Sequence, residues 1–372
     1  MKKLAIVGAG NAACISALSH YYNNKIEKNI LEEIEIYHDP SIPIERVGQG
    51  STLFFPRYLF RVLGINFYPP QNLIKATFKN GILYENWGKK YDKHFHPFHM
   101  DMMGVHYVPE LLSKTILECG LFKVTEKNIK DPEKEIDADF IIDCRGRNNR
   151  DKNLYRKIIN PLNSVILADK KGRDVDLLWS GHIATPNGWT FVIPNHDSVS
   201  YGYLYNNTIT SKEDAEKDFI ERFDVIPDGY LNFENYIAKN MFQGERTVLN
   251  GNRLFFLEPM ESNSASFYNS VASLSAVLSP SNKSKANSII QREAEKIQNF
   301  IMWHYAKGSK YETPFWDYAI SLSKGTFDKD EEFIHILEFI RSRSKTQKLK
   351  KDFADAHYEQ WPGYSIENWD NV

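Results

Sequence analysis

The chain has 372 residues, 42% hydrophobic and 13% aromatic, with a formal net charge of -2. That length suits two domains, or one large domain with an insertion, and a core rich in rings; the near-neutral charge offers no bulk field for nucleic acid or an anionic membrane. Cys14, Cys119 and Cys144 are an odd number, far apart and without a CxxC spacing, which argues against a disulfide framework or a zinc site and fits a reducing cytoplasm. From the N-terminus, "KLAIVGAG" predicts a strand entering a glycine turn and "NAACISALSHYYNN" a helix. Two lysines ahead of an apolar stretch imitate a secretory signal, but Gly8, Gly10 and Asn11 interrupt it. No uncharged apolar run is long enough to span a bilayer, so a cytoplasmic protein is expected. The Lys-, Asn- and Ile-rich composition suits an AT-rich genome such as many phages have, which would make the compartment a host cytoplasm.

"EEIEIYHDP" predicts a second strand with Asp39 at its end, and "IPIERVGQGST" a turn-rich loop holding Gly48, Gln49, Gly50 and Ser51. "ATFKNGILYENWG" reads as extended, followed by the ring-dense "HFHPFHM". "VPELLSKTILECG" predicts a helix and "ADFIIDCRGR" an apolar strand ending in another glycine turn. Between residues 164 and 207, "SVILAD", "GWTFVIP" and "VSYGYLYNN" have strand character. "TSKEDAEKDFIERF" has a capping hydroxyl and an acidic first turn, hence a helix. "RLFF" reads as a short apolar strand running directly into "LEPMES", and beyond Ser262 the chain reads as mostly helical to its end. The expected fold is α/β: a doubly wound domain (residues 1–60, 105–160 and 245–285), an inserted β-rich substrate-side domain (61–104 and 161–244) and a helical C-terminal region (286–372).

The order strand, Gly8-x-Gly10-x-x-Ala13, helix, acid-ended strand is a dinucleotide-binding arrangement. Gly8 permits the tight turn, Gly10 lets backbone approach a pyrophosphate at the helix N-terminus, and Ala13 is small enough for helix against strand. Asn11 and Ala12 complete the turn, and Asp39 is placed to accept from an adenosine ribose. FAD is favoured over NAD.

Several stretches, kept in order from Lys3 to Trp316, resemble the flavin-dependent tryptophan halogenase family. "IPIERVGQGST" is similar to the family loop passing the flavin, with Gly48-Gln49 where Gly-Glu is usual. "ATFKNGILYENWG" resembles the segment holding the family's essential lysine, which falls on Lys79. "FHPFH" resembles the substrate-side segment at His96 and Phe98, and "DFIIDCRGR" the strand end at Asp143 to Gly146. "GWTFVIP" matches most of WxWxIP through Trp189, with Phe191 in place of the second Trp. "LEPMES" puts the catalytic glutamate at Glu261, and "FIMWHYAKGSKYETPFW" resembles the helix and turn that follow. No Gly-Asp-Ala segment is evident before "LEPMES", and Asn263-Ser264 stands where Thr-Gly often holds the halide.

The resemblance implies a two-component enzyme. FADH2 comes from a separate reductase and reacts with O2 to give a ring-bound peroxide; a halide ion attacks it, and hypohalous acid is passed to a small electron-rich aromatic such as an indole. Lys79 would capture the oxidant, as a protonated donor or, if burial lowered its pKa from about 10.4, as an amine forming a haloamine. Glu261 would orient the oxidant and take the ring proton. Trp189 and Phe191 would wall the substrate off from the flavin, and His96 and Phe98 would line its pocket. Each residue also has a plainer role: Lys79 a solvated strand lysine, Glu261 or Glu258 a helix-start acid, the rings ordinary core. The cluster of His94, His96 and His99 with Asp92 and Asp101 matches no standard metal spacing, so no metal is expected. A flavin monooxygenase and a non-catalytic flavin-binding protein are the alternatives on this scaffold; the oligomeric state stays open, a dimer included.

Overall fold

In the computed structural model, residues 2–335 are described, apart from 27, 29, 52–53, 68–70, 99–102, 149, 173–177, 278–281 and 328–329. The chain divides into two compact units: Met1–Ala76, Tyr107–Ile158 and Asn235–Glu295 form the first, and Thr77–His106, Ile159–Glu234 and Lys296–Val372 the second.

The first unit is built on a five-stranded parallel sheet in the order Thr247–Leu249, Phe140–Asp143, Lys3–Val7, Glu33–His38, Lys123–Glu126. The central strand is buried from Leu4 to Val7, as expected where helices cover both faces of a parallel sheet. The helix Asn11–His20 is buried at every position but Asn11; its alanines and serines make it thin enough for that. It packs against the helix Asn263–Ser275. A smaller antiparallel sheet joins Tyr155–Lys157, Tyr236–Ala238 and Phe255–Phe256.

The second unit is built on a seven-stranded sheet in the order Gly229–Asn232, Ser164–Lys171, Ser198–Tyr205, Gly188–Pro194, Ser180–Thr185, Gly81–Glu85, Lys93–Pro97. All pairs are antiparallel except Ser180–Thr185 with Gly81–Glu85. The helix Lys212–Phe223 starts at Ser211, whose Oγ accepts the Asp214 amide at 3.1 Å, and buries Ala215 and Phe219 against Ile166, Ala168, Tyr203 and Tyr205. The helix Pro314–Phe327 anchors Trp316 at the end of the interior strand Ser180–Thr185, its indole donating to the Thr185 carbonyl at 2.8 Å.

The mixed α/β architecture with a parallel sheet, a β-rich insertion and C-terminal helices agrees with the sequence. Several elements escaped it. The ring-dense "HFHPF" is a strand, Lys93–Pro97, and "SGHIAT" is another, buried on both faces so that no alternation marks it. The helix Phe55–Leu63 carries its signal in Pro56 and in the closing Gly64 at φ 66°. "RLFF" keeps only Phe255–Phe256 as strand, because Arg253 closes a 3-10 turn, Gly251–Arg253. The last expected helices fall largely on residues 336–372, outside the described residues.

Candidate functional site

Paired residues in a sheet project to the same face. In the second unit, His182 pairs with Tyr84 on one side and Phe191 on the other; Tyr84 pairs with His94, Ile82 with His96, Ala184 with Trp189, and Phe191 with Gly202. Sequence segments far apart therefore meet on one face, holding His94, His96, Tyr84, His182, Trp189 and Phe191. The rings touch. Trp189 lies 4.9 Å from His182 and 6.4 Å from Phe191, and Tyr84 lies 5.3 Å from His182 and 6.2 Å from His96, between ring centroids. His304, from the helix Lys283–Ala306, stacks on Tyr84 at 5.7 Å. Its Nδ1 lies 2.8 Å from the Phe300 carbonyl, so that nitrogen carries the proton and Nε2 accepts from the Tyr84 hydroxyl, a long contact of 3.4 Å. Gly202 exists for this face: a Cβ there would lie 2.1 Å from Cζ of Phe191.

Lys79 ends the strand Thr77–Lys79, which pairs antiparallel with Gly104–Tyr107. It is 0% exposed, and its Nζ sits 5.5 Å from the centroid of Phe98. A lysine is almost never fully buried unless something balances its charge. Hydrogen bonds fix the strand in place: Thr77 Oγ1 donates to the Pro194 carbonyl at 2.9 Å, and the Asn80 amide to the Leu178 carbonyl at 2.6 Å. Lys79, His96, Phe98, Trp189 and Phe191 thus all belong to the second unit, with Phe98 half-buried and the others buried. Sequence reasoning did not place Tyr84, His182 or His304 in the site, although the segments "ATFKNGILYENWG" and "FIMWHYAKGSKYETPFW" hold Tyr84 and His304. For His182 the signal was the histidine in "SGHIAT", between a glycine and apolar residues. His99 and Asp101 lie outside the described residues.

In the first unit, Gly8 has φ 121°, and a Cβ there would fall 2.7 Å from the Cys144 carbonyl oxygen. Gly10 caps the helix Asn11–His20, and no heavy atom lies within 4 Å of where its Cβ would be. The backbone face at the helix N-terminus is therefore open to an approaching group, which fits a pyrophosphate. Ala12 and Ala13 are buried; Ala12 leaves no room for a side chain at Gly251, where a Cβ would lie 2.4 Å from its own. Asn11 accepts from the Tyr107 hydroxyl at 3.1 Å. Gly251, at φ 63°, follows the fifth parallel strand. A glycine turn thus does stand upstream of "LEPMES", which sequence reasoning missed; the signal was Asn250-Gly251 after "TVL". Asn250 anchors it by donating to Ser16 Oγ at 2.9 Å and the Tyr268 carbonyl at 3.0 Å. Asp39 lies just beyond the strand Glu33–His38 and is already engaged: Ser41 donates to Oδ1 from its amide and hydroxyl, and Asn128 to Oδ2 at 2.6 Å. The Ser41 bonds hold its carboxyl below the usual range. Gln49–Gly50 forms a two-residue strand, with Gly48 and Ser51 buried beside it. Asp143 and Arg145 lock the other glycine turn, the guanidinium meeting both carboxylate oxygens at 2.8 and 2.6 Å.

Glu258 and Glu261 are 2% and 5% exposed. Glu258 donates its amide to Asn235 Oδ1 at 3.2 Å. Glu261 lies at φ 68° and Ser262 at φ 54°, two consecutive non-glycine residues in the left-handed region. Ser262 stands at the N-cap of the helix Asn263–Ser275 but makes no side-chain cap bond. The turn therefore starts the helix poorly and holds Glu261 in a sparsely populated backbone conformation. Asn263 and Ser264 are the first helical residues, half-buried, with Asn263 donating to the Met260 carbonyl at 3.4 Å. Lys79 and Glu261 belong to different units.

Comparison with known proteins follows the same segments. The family model for tryptophan halogenase matches residues 3–115 and 120–362. Tryptophan 7-halogenase RebH of Lentzea aerocolonigenes is 24% identical over 200 residues, which is 48% of this chain and 38% of that protein's length. Among solved structures, Xcc4156, a flavin-dependent halogenase from Xanthomonas campestris, superposes with a TM-score of 0.76 at 17% identity over 91% of this chain and 83% of the other. MibH, a tryptophan 5-halogenase, gives a TM-score of 0.79 at 17% identity over 100% of this chain and 84% of the other. At such identities the superpositions speak for the fold; the family match, running from the glycine turn past the last described helix, carries the assignment, and the chain belongs to the tryptophan halogenase family.

Proposed function

We propose that the protein is a flavin-dependent halogenase, an oxidoreductase acting on a small electron-rich aromatic, indole-like in shape. Residues 1–60, 105–160 and 245–285 hold the flavin, and 61–104 with 161–244 present the substrate. The turn Gly8 to Ala13 holds the FAD pyrophosphate, Asp39 faces its ribose, and Gly48 to Ser51 pass its ring. Reduced FAD from a separate reductase, with O2 and a halide ion, supplies hypohalous acid. Asn263 and Ser264 are the candidate halide contacts. Lys79 donates a hydrogen bond to the oxidant and directs it; Glu261 takes the proton the ring loses on substitution. Trp189 and Phe191 form the partition that keeps the aromatic from the flavin, and His96 and Phe98 hold its flat face.

The observation that carries this reading is the complete burial of Lys79 beside Phe98. A solvated strand lysine, the plainer role, would be exposed. The test is incubation with FAD, a flavin reductase, NADH and chloride, bromide or iodide in turn, against a panel of indoles and phenols. Halogenated products that disappear with Lys79→Ala are expected. Hydroxylated products that persist in that variant would replace the proposal with a monooxygenase, and FAD binding without any product would reduce it to a flavin-binding protein.

A further inference from the structure

We propose that the first unit carries a second ligand site, apart from the glycine turn, for a small organic oxyanion. A phosphate monoester or a carboxylate would be held by Arg253 and Thr247, in the field of Arg145 and Lys130. These four residues and Gln243 are among those lining a cavity of about 230 Å³. Its whole lining falls within Tyr107–Ile158 and Asn235–Glu295, and none of it comes from the turn Gly8 to Ala13 or from Asp39. Sheet topology makes the place. Thr247 starts the edge strand of the parallel sheet, paired with Ile141. Asp143 ends the neighbouring strand, and Arg253 closes the 3-10 turn that follows the edge strand. The segment from Lys130 to Glu133 forms another wall, and it is pinned. Arg145 Nη1 donates to the Ile129 and Lys130 carbonyls at 2.9 and 2.7 Å, and Arg246 Nη2 to the Glu133 carbonyl at 2.7 Å.

Two buried donors that line this cavity are left over. Arg253 is 7% exposed, and its one hydrogen bond among the described residues runs from Nη1 to the Asn148 carbonyl at 3.0 Å. Its Nε is buried without a hydrogen bond, 3.4 Å from Asp143 Oδ2. Thr247 is 1% exposed, and its Oγ1 approaches Glu133 without reaching hydrogen-bond geometry. Buried donors are costly to leave unused. The charges favour an anion. Asp143 is a single carboxylate between two guanidiniums, and Arg145 already meets both of its oxygens. The two carboxylates in the cavity wall are engaged. Glu133 accepts from the Arg246 amide at 3.0 Å, with the guanidinium at 3.4 Å, and Asp131 pairs with Lys134 at 2.9 Å. Glu135, whose field also reaches Arg145, accepts the Lys130 and Asp131 amides and faces Lys127. Lys130 is exposed and adds a positive charge. The planar edge of a guanidinium matches two oxygens of a carboxylate or a phosphate, and the Thr247 hydroxyl can donate to one of them. The space exceeds what a bare ion needs, since a cavity of about 150 Å³ already takes benzene.

The test is calorimetric titration of the full chain, with and without saturating FAD, in a low-chloride buffer of constant ionic strength. Inorganic phosphate, glycerol 3-phosphate and succinate are the probes. One saturable site is expected for at least one of them, unchanged by FAD, and the tighter class tells a phosphate ligand from a carboxylate. Thr247→Val keeps the shape and removes the donor, and it is expected to weaken that binding about fivefold. Arg253→Lys keeps the charge and loses the planar fork, and it is expected to weaken the binding about tenfold. Lack of saturable binding of any probe overturns the inference. So does binding that FAD displaces, which would assign the anion to the flavin turn, and so does binding that neither variant moves. Chloride that competes as tightly as phosphate overturns the oxyanion assignment. If Arg253→Lys does not fold, Thr247→Val decides. None of these outcomes touches the halogenase reading, because no residue of this cavity is assigned to that chemistry.

Discussion

Glu261 shows how a residue's backbone can reveal its task. A non-glycine residue in the left-handed region costs about 1–2 kcal/mol, and here two occur in succession, at Glu261 and Ser262. Folding alone would favour glycine at the first. Glu261→Gly is therefore expected to raise stability by about 1 kcal/mol in urea unfolding while abolishing halogenation, the trade seen where strain serves a site. Glu261→Gln keeps the shape and removes the base, and turnover is expected to fall about a hundredfold with little change in KM. A variant that gains stability and keeps turnover would return Glu261 to the role of a helix-start acid. The sequence placed this residue through the segment "LEPMES", and it marked Lys79 in the same way. It could not foresee the left-handed turn, because glutamate and serine do not advertise positive φ as glycine does. The burial of Lys79 was open to it only through the resemblance, since a lysine next to an asparagine and a glycine otherwise reads as solvated.

At the level of elements, the legible parts were those with a turn signature, a cap or a β-rich run: the first strand and its helix, "GWTFVIP", and the capped helix after Ser211. The least legible were short strands with none of these. "SGHIAT" offers no alternation, yet it carries His182 and joins the two halves of the sheet. What ties that face together is register, which a single sequence does not display. Gly202 provides a test. Its absent side chain is the space filled by the Phe191 ring, so Gly202→Ala is expected to destabilise the protein by about 1–3 kcal/mol through overpacking. Combined with Phe191→Ala, much of that cost should vanish, and the double-mutant cycle should give a coupling of at least about 1 kcal/mol; additive effects would mean that the ring does not occupy that space. The glycine turn of the first unit predicts a different signature. Gly8→Ala forces a Cβ to within 2.7 Å of the Cys144 carbonyl at a φ of 121°. FAD affinity, followed by flavin fluorescence, is expected to fall by at least about tenfold, and unchanged affinity would remove the flavin from this turn.

For the molecule as a whole, the telling charges are the ones kept out. His20 ends the first helix in full burial, its Nδ1 3.0 Å from the Asn24 amide nitrogen and its Nε2 2.9 Å from Ser275 Oγ. An amide nitrogen only donates, so Nδ1 is the acceptor and Nε2 carries the one proton; Ser275 passes its own proton to the Ala272 carbonyl. In this arrangement Nδ1 has no place for a second proton, and burial pushes the imidazole down to about 4. An unfolded histidine binds its proton near 6.5. Between those values the unfolded chain holds more protons than the folded one, so this group lowers stability as pH falls, by about 1.4 kcal/mol per pH unit and by about 3 kcal/mol in all. Above pH 6.5 it contributes nothing. His182, lowered by burial and by Lys79, acts in the same direction. Urea unfolding from pH 7 to pH 5 is expected to give a falling stability before the carboxylates begin to titrate. His20→Gln should be less stable at pH 7, having lost fitted hydrogen bonds, yet its stability should fall less steeply, by about 1.4 kcal/mol per pH unit. Parallel slopes for the two proteins would mean that His20 takes up its proton without unfolding, and that the contact between the first helix and the helix Asn263–Ser275 is looser than its hydrogen bonds imply.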